Sequence, residues 1–213
     1  MKNYILFPAL LLTTLAVSSC GDDHEKDRQD SIRRDSIMRD SIVRVEQSRS
    51  PYEKLCTSPS NFALTIKNYD HDMSGKYAFE TSNFEVKQSN IEWTNDSNAI
   101  ITLKNYDANE LTGDRKDNQV DIVIELTARL GNKIGAATYK HNAPELEYSS
   151  MTTIVTSKGK VFFNWMIGMD EQGGVRIDYI EGNEACGAFM LAVDKPDNKK
   201  IGVVRLNGNF RTK

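Results

Sequence analysis

Few of the side chains from which catalytic and metal sites are built occur in this chain. Its 213 residues include three histidines and three cysteines. No cysteines stand in the Cys-x-x-Cys spacing of a redox pair. There is no Gly-x-Ser-x-Gly elbow, no His-Glu-x-x-His helix and no phosphate-cradling glycine loop. Charge of a single sign is missing too. The 27 basic and 30 acidic residues are interspersed, for a net charge of −3. Without a basic stripe the chain has no electrostatic footprint for nucleic acid. The apolar run from Tyr4 to Val17 falls short of the roughly 20 residues that span about 30 Å of hydrocarbon. No cofactor is implied.

What is there begins with Cys20. Lys2 is followed by the apolar run, with Pro8 inside it, and then by Ser18-Ser19-Cys20-Gly21. A charged start, a short apolar stretch and small residues before one cysteine resemble a bacterial lipobox. The resemblance implies removal of residues 1–19 and lipid attachment at Cys20. The chain would then be a membrane-anchored lipoprotein of the cell envelope, stably held because it carries more than one acyl chain. Gly21-Asp22-Asp23 follow. An acidic run after the cysteine is similar to the signal that sends Bacteroidota lipoproteins to the outer face of the outer membrane, although His24 interrupts it.

Residues 20–50 form a distinct segment, charged and free of aromatics. A five-residue repeat runs through it: Asp30-Ser31-Ile32-Arg33-Arg34, Asp35-Ser36-Ile37-Met38-Arg39 and Asp40-Ser41-Ile42-Val43-Arg44. Each Asp precedes an Arg by four positions, the stacked and favourable order on a helix, at about 0.2–0.5 kcal/mol per pair. A step of five advances by about 500°, so the isoleucines do not share a face and no coiled-coil seam forms. The pattern predicts a solvated, partly helical tether. Asp-Ser-aliphatic also resembles the acceptor pattern of Bacteroidota protein O-glycosylation, which points to Ser31, Ser36 and Ser41; a plain charged spacer is the other reading.

From residue 51 to 213 the apolar period becomes two. Val120, Ile122, Ile124, Leu126, Ala128 and Leu130 alternate with mostly polar residues, the mark of a strand with one buried face. Further strands are predicted over 62–67, 76–80, 84–88, 100–104, 152–156, 161–167, 175–180, 188–193 and 201–206, separated by Gly-, Asn- and Pro-rich turns. No long amphipathic helix follows residue 50. The expected fold is all-β, an antiparallel β-sandwich or barrel-like domain after a helical or disordered tether. Cys56 and Cys186 lie near its two ends. A disulfide between them would close a long loop, in a compartment where such bonds persist; the alternative is two buried thiols.

Two internal echoes occur. Leu64-Thr65-Ile66-Lys67-Asn68-Tyr69-Asp70 is similar to Ile101-Thr102-Leu103-Lys104-Asn105-Tyr106-Asp107, and Gly187-Ala188-Phe189 to Gly208-Asn209-Phe210. The segments 174–177, 186–189 and 206–210 resemble those of small β-rich Bacteroidota lipoproteins. That group implies a sandwich-like fold and surface tethering, and has no agreed activity to carry over.

Candidate chemistry is sparse. Asp70, Asp72 and Ser74, with Gly75, resemble the opening of a calcium loop, but its twelfth position is Thr81 rather than an acid, so a hairpin turn is the simpler reading. Asp107, Glu110, Asp114, Asp117 and Asp121 crowd one segment, where paired carboxylates would suit a glycan hydrolase. His71 or His141 would have to serve Cys186 in any Cys–His site. Trp93, Trp165, Tyr69, Tyr106 and Tyr148 are the aromatics for a glycan-stacking surface. The expected function is a binding or accessory module on the envelope, with an unknown protein or glycan ligand. The alternatives are an immunity-type lipoprotein that captures a toxin and a carboxylate-based glycan hydrolase.

Overall fold

The computed structural model describes residues 22–69, 77–110, 113–162, 173–193 and 203–212. It divides into two units, Met1–Ser48 and Arg49–Lys213. The described part of the first is a single helix, α1 (Asp22–Ser48). At 1.5 Å per residue its 27 residues reach about 40 Å. Ile32, Ile37 and Ile42 are all more than half exposed, as expected of residues that advance round the axis instead of lining a seam.

The second unit opens on a short helix, α2 (Pro51–Leu55), with a capping box before it. Ser50 Oγ accepts from the Glu53 N–H, and Glu53 accepts from the Ser50 N–H. Pro51 stands at the first helical position, where its missing N–H costs nothing.

Strands follow: β1 (Asn61–Tyr69), β2 (Tyr77–Thr81), β3 (Gln88–Asn95), β4 (Asn98–Lys104), β5 (Asp121–Ala128), β6 (Ala137–His141), β7 (Tyr148–Thr156), β8 (Gly159–Phe162), β9 (Gly174–Glu181), β10 (Glu184–Val193) and β11 (Val203–Arg211). They form one curled, barrel-like sheet in the order β2-β1-β11-β10-β9-β6-β7-β5-β4-β3, with β8 paired to β7. Among the described residues every pairing is antiparallel except β6 with β7. The domain is therefore all-β. Its inner face carries one continuous core that includes Leu64, Ile66, Ile101, Leu103, Ile122, Ile124, Phe189 and Leu206.

Two predicted strands differ, and two observed ones, β3 and β6, are not among those predicted. Residues 84–87 are not strand but a link between β2 and β3. Phe84 N–H donates to Phe62 O, Lys87 N–H to Lys104 O, and the buried Phe84 and Val86 fill the core behind them. The alternation there reflects burial of a crossing segment. The strand predicted to reach Leu130 ends at Ala128, because Asn132 N–H closes a turn on Arg129 O and Leu130 lies exposed at φ 57°. The short β6 escapes the pattern, since only Tyr139 of its residues is buried. Residues 163–167 of another predicted strand lie outside the described residues.

Both echoes have structural counterparts. β1 and β4 each stand second from an edge of the sheet. The glycine–phenylalanine pair is closer still: across β10 and β11, Gly187 faces Phe210 and Gly208 faces Phe189. The two rings pack against each other at a tilt of 33°, with centroids 4.7 Å apart. A Cβ on Gly187 would collide with the Arg176 carbonyl, and one on Gly208 (φ +127°) with the Asn61 carbonyl. Both glycines are thus required by close backbone approach. Gly187→Ala is expected to lower the unfolding free energy by about 3 kcal/mol through overpacking. Chemical denaturation would show this as a lower midpoint with an unchanged slope.

Candidate functional site

The most constructed part of the domain lies where its beginning meets its end. Cys56, at the C-cap of α2, forms a disulfide with Cys186 of β10, 130 residues away, across a Cα separation of 5.7 Å. Both are buried with Tyr52, whose ring lies 5.8 Å from that of Tyr179 on β9. Tyr52 Oη donates to Thr212 O at 2.6 Å. Thr212 is held in turn, its N–H donating to Ala185 O and its Oγ1 accepting from the Ala185 N–H at 2.9 Å. Ser60 Oγ donates to Arg211 O at 3.0 Å and accepts from the Arg211 N–H at 2.9 Å.

Beside this clamp is a cavity of about 590 Å³. Its walls come from four places: Tyr52, Pro59 and Ser60 after the tether; Asn83, Glu85 and Val86 of the link; Asn183 and Glu184 at the β9–β10 turn; Arg211 and Thr212 at the end of β11. The Arg211 guanidinium sits 4.6 Å from the Tyr52 ring centroid, and its Nε donates to Tyr52 Oη at 2.9 Å. Among the described residues its two η nitrogens have no hydrogen-bond or ion-pair partner. Glu85 and Glu184 are exposed, and neither is paired with Arg211. Nearby, Tyr179 donates to Glu181 at 2.8 Å. That bond holds the Tyr179 hydroxyl above its ordinary range, with burial and the charges of Glu181 and Glu184 acting the same way.

The other sequence candidates fall elsewhere. Cys20, His71, Asp70, Asp72, Ser74 and Trp165 lie outside the described residues, as does the side chain of Tyr69. Ser31, Ser36 and Ser41 are exposed on α1, each step of five turning the hydroxyl to a new side; Ser41 Oγ donates back to Ile37 O. Cys186 is half of a disulfide and so supplies no thiolate to a histidine. The described aromatics do not gather into a surface. Tyr106 is buried and Tyr148 packs edge-on against Tyr139 of the core. Trp93 is exposed, its Nε1 donating to Gly182 O at 2.9 Å across the curl of the sheet.

The acids between 107 and 121 have separate tasks. Asp107 accepts from the Asn109 N–H. Asp121 is buried on β5, bound by Tyr106 Oη at 2.7 Å and by Arg115 Nη2 at 2.8 Å. Asp117 accepts from Ser157 Oγ through its carboxylate and from Tyr77 Oη through its carbonyl, the latter at 2.8 Å. Asp117 and Asp121 tie the loop to strands, while the Asp107 bond is local to it. Asp114 is exposed, and the side chain of Glu110 is outside the described residues.

No family model, curated protein or solved structure matches this chain.

Sequence reasoning missed Tyr52 and Arg211. The capping pattern Ser50-x-x-Glu53 was a readable signal for α2. Nothing in the order of residues announced that Arg211 would lie against Tyr52.

Two predictions follow from this geometry. Converting Cys56 and Cys186 to alanine is expected to cost about 5 kcal/mol, the loop-closure entropy of a loop this long, measured by denaturant unfolding of oxidised and variant protein. The second concerns alkaline pH. Burial, with the Asp117 charge second, pushes Tyr77 up to about 12 from 10.0. The folded state then holds this proton where the unfolded chain releases it. Its contribution to stability is intact below pH 10 and is lost as pH rises towards about 12. Tyr106 and Tyr139, both raised chiefly by burial, act in the same direction. Tyr77→Phe is expected to make that alkaline loss shallower in unfolding curves recorded across the interval.

Proposed function

We propose that this chain is a cell-envelope lipoprotein, anchored to the outer membrane through Cys20 and exposed at the surface, that presents its β-domain as a non-enzymatic binding or accessory module. The observation that carries the reading is α1. A helix of 27 residues with every described side chain exposed has no partner face to bury, and it stands between Cys20 and a separate compact domain. Such a helix is a spacer. Its Asp–Arg pairs support helicity without a core. No described helix is long and apolar enough to cross a membrane, so attachment in this reading falls to the acyl chains.

Binding is favoured over hydrolysis by how the acids are used. Asp107, Asp117 and Asp121 are committed to backbone and side-chain bonds on different parts of the loop. The cavity beside α2 is the larger of two pockets among the described residues that are lined by unpaired charge, and it is where a ligand is expected. In the same reading Ser31, Ser36 and Ser41 carry O-linked glycans, bulky groups that suit a helix exposed on all sides.

Mass spectrometry of the protein from its own membranes tests this. The mature N-terminal peptide is expected to begin at an acylated Cys20, and the peptides containing Ser31, Ser36 and Ser41 to carry glycan mass. Cys20→Ala is expected to leave the protein unanchored. An unmodified Cys20 in membrane-extracted protein refutes the anchoring.

A further inference from the structure

We infer that the cavity beside α2 binds a small zwitterion of the amino-acid type, a free amino acid or a peptide of a few residues, with its carboxylate on Arg211 and its ammonium group at Glu85 and Glu184. The inference rests on the reading of the domain as a binding module and not on acylation of Cys20.

Arg211 is the anchor. Its Nε is committed to Tyr52 Oη and its plane is held by the Tyr52 ring, while both η nitrogens lack a partner among the described residues. Tyr52 is itself fixed by Thr212 O and by the adjacent disulfide. A guanidinium held this way presents a fork for a carboxylate and has little freedom left to lose on binding. Arg211 is only half-exposed, so its charge is incompletely solvated.

The opposite charge comes from two other segments. Glu85 lies on the link and Glu184 at the β9–β10 turn, both lining the same cavity and neither within ion-pair distance of Arg211. A purely anionic ligand on Arg211 would face two carboxylates. A purely cationic one would face the guanidinium. A molecule carrying both charges at separate ends satisfies all three groups. The volume of about 590 Å³ lies within the usual range for small-molecule sites. Pro59, exposed at the rim, supplies apolar wall for a side chain.

Calorimetric titration of the full chain tests the assignment. The probes are free amino acids and tripeptides with free termini, and the same tripeptides either amidated at the C-terminus or acetylated at the N-terminus. Binding is expected with free termini, and either block is expected to weaken it about tenfold or more, the loss of one charge-assisted contact. Arg211→Gln is expected to weaken it at least as much. Because Arg211 also packs on Tyr52, the exposed pair Glu85→Gln/Glu184→Gln gives a second reading without altering that packing, and about a tenfold loss is expected there too. Failure of every free-terminus probe to bind overturns the inference, as does equal affinity for blocked and free peptides or unchanged affinity in both variants. A finding that Cys20 is unacylated leaves each of these results as it stands.

Discussion

Tyr52 and Thr212 are 160 residues apart in sequence and share a hydrogen bond. The rest of the domain is arranged round the meeting that this bond marks. β1 pairs with β11 over seven positions, from Asn61 with Asn209 to Lys67 with Val203. α2 is then bolted over the end of β10 by Cys56–Cys186. With first and last strands joined inside the sheet, the edges fall to β2 and β3. These are consecutive in sequence, so the link between them spans the opening of the curl. Phe84 and Val86 are buried there, closing the core where a free pair of edges would expose it.

This arrangement also explains where polar chemistry concentrates. The chain that meets at the clamp has just emerged from a strand or is about to enter one. Its backbone groups lack sheet partners and must find others. Ser60, Thr212 and Tyr52 supply them. A rigid polar frame results, and Arg211 is fixed within it. The glycines at Gly187 and Gly208 serve the same end by letting β10 and β11 lie close to their neighbours. The paired rings of Phe189 and Phe210 fill the space on the inner side.

Much of the fold was legible because burial on one face writes itself as period two. Leu64 and Ile66, Ile101 and Leu103, and Ile122, Ile124 and Leu126 all point inward from strands that the alternation predicted. The pattern misled where a segment buries alternate residues without joining the ladder, as Phe84 and Val86 do. It was silent at β3 and β6, each of which carries a single buried side chain, Ile91 and Tyr139. The acidic stretch from Asp107 to Asp121 shows a different limit. Sequence placed five carboxylates together, yet Asp121 is occupied by Arg115 and Tyr106 while Asp117 holds Tyr77 and Ser157. Nearness along the chain did not make them neighbours in chemistry.

By itself the sequence determined the division into a charged helical segment and a β-domain, and the inward faces of most strands, because these follow from local charge pairing and residue periodicity. It determined the residues, too, on which the lipid-anchor reading stands. Strand order, the choice of a disulfide over two buried thiols for Cys56 and Cys186, and the seating of Arg211 over Tyr52 belonged to the tertiary structure alone. They depend on contacts between residues distant in sequence, such as those of β1 with β11 and of Tyr52 with Thr212. Such contacts are selected by how a whole core packs, and no local pattern encodes them.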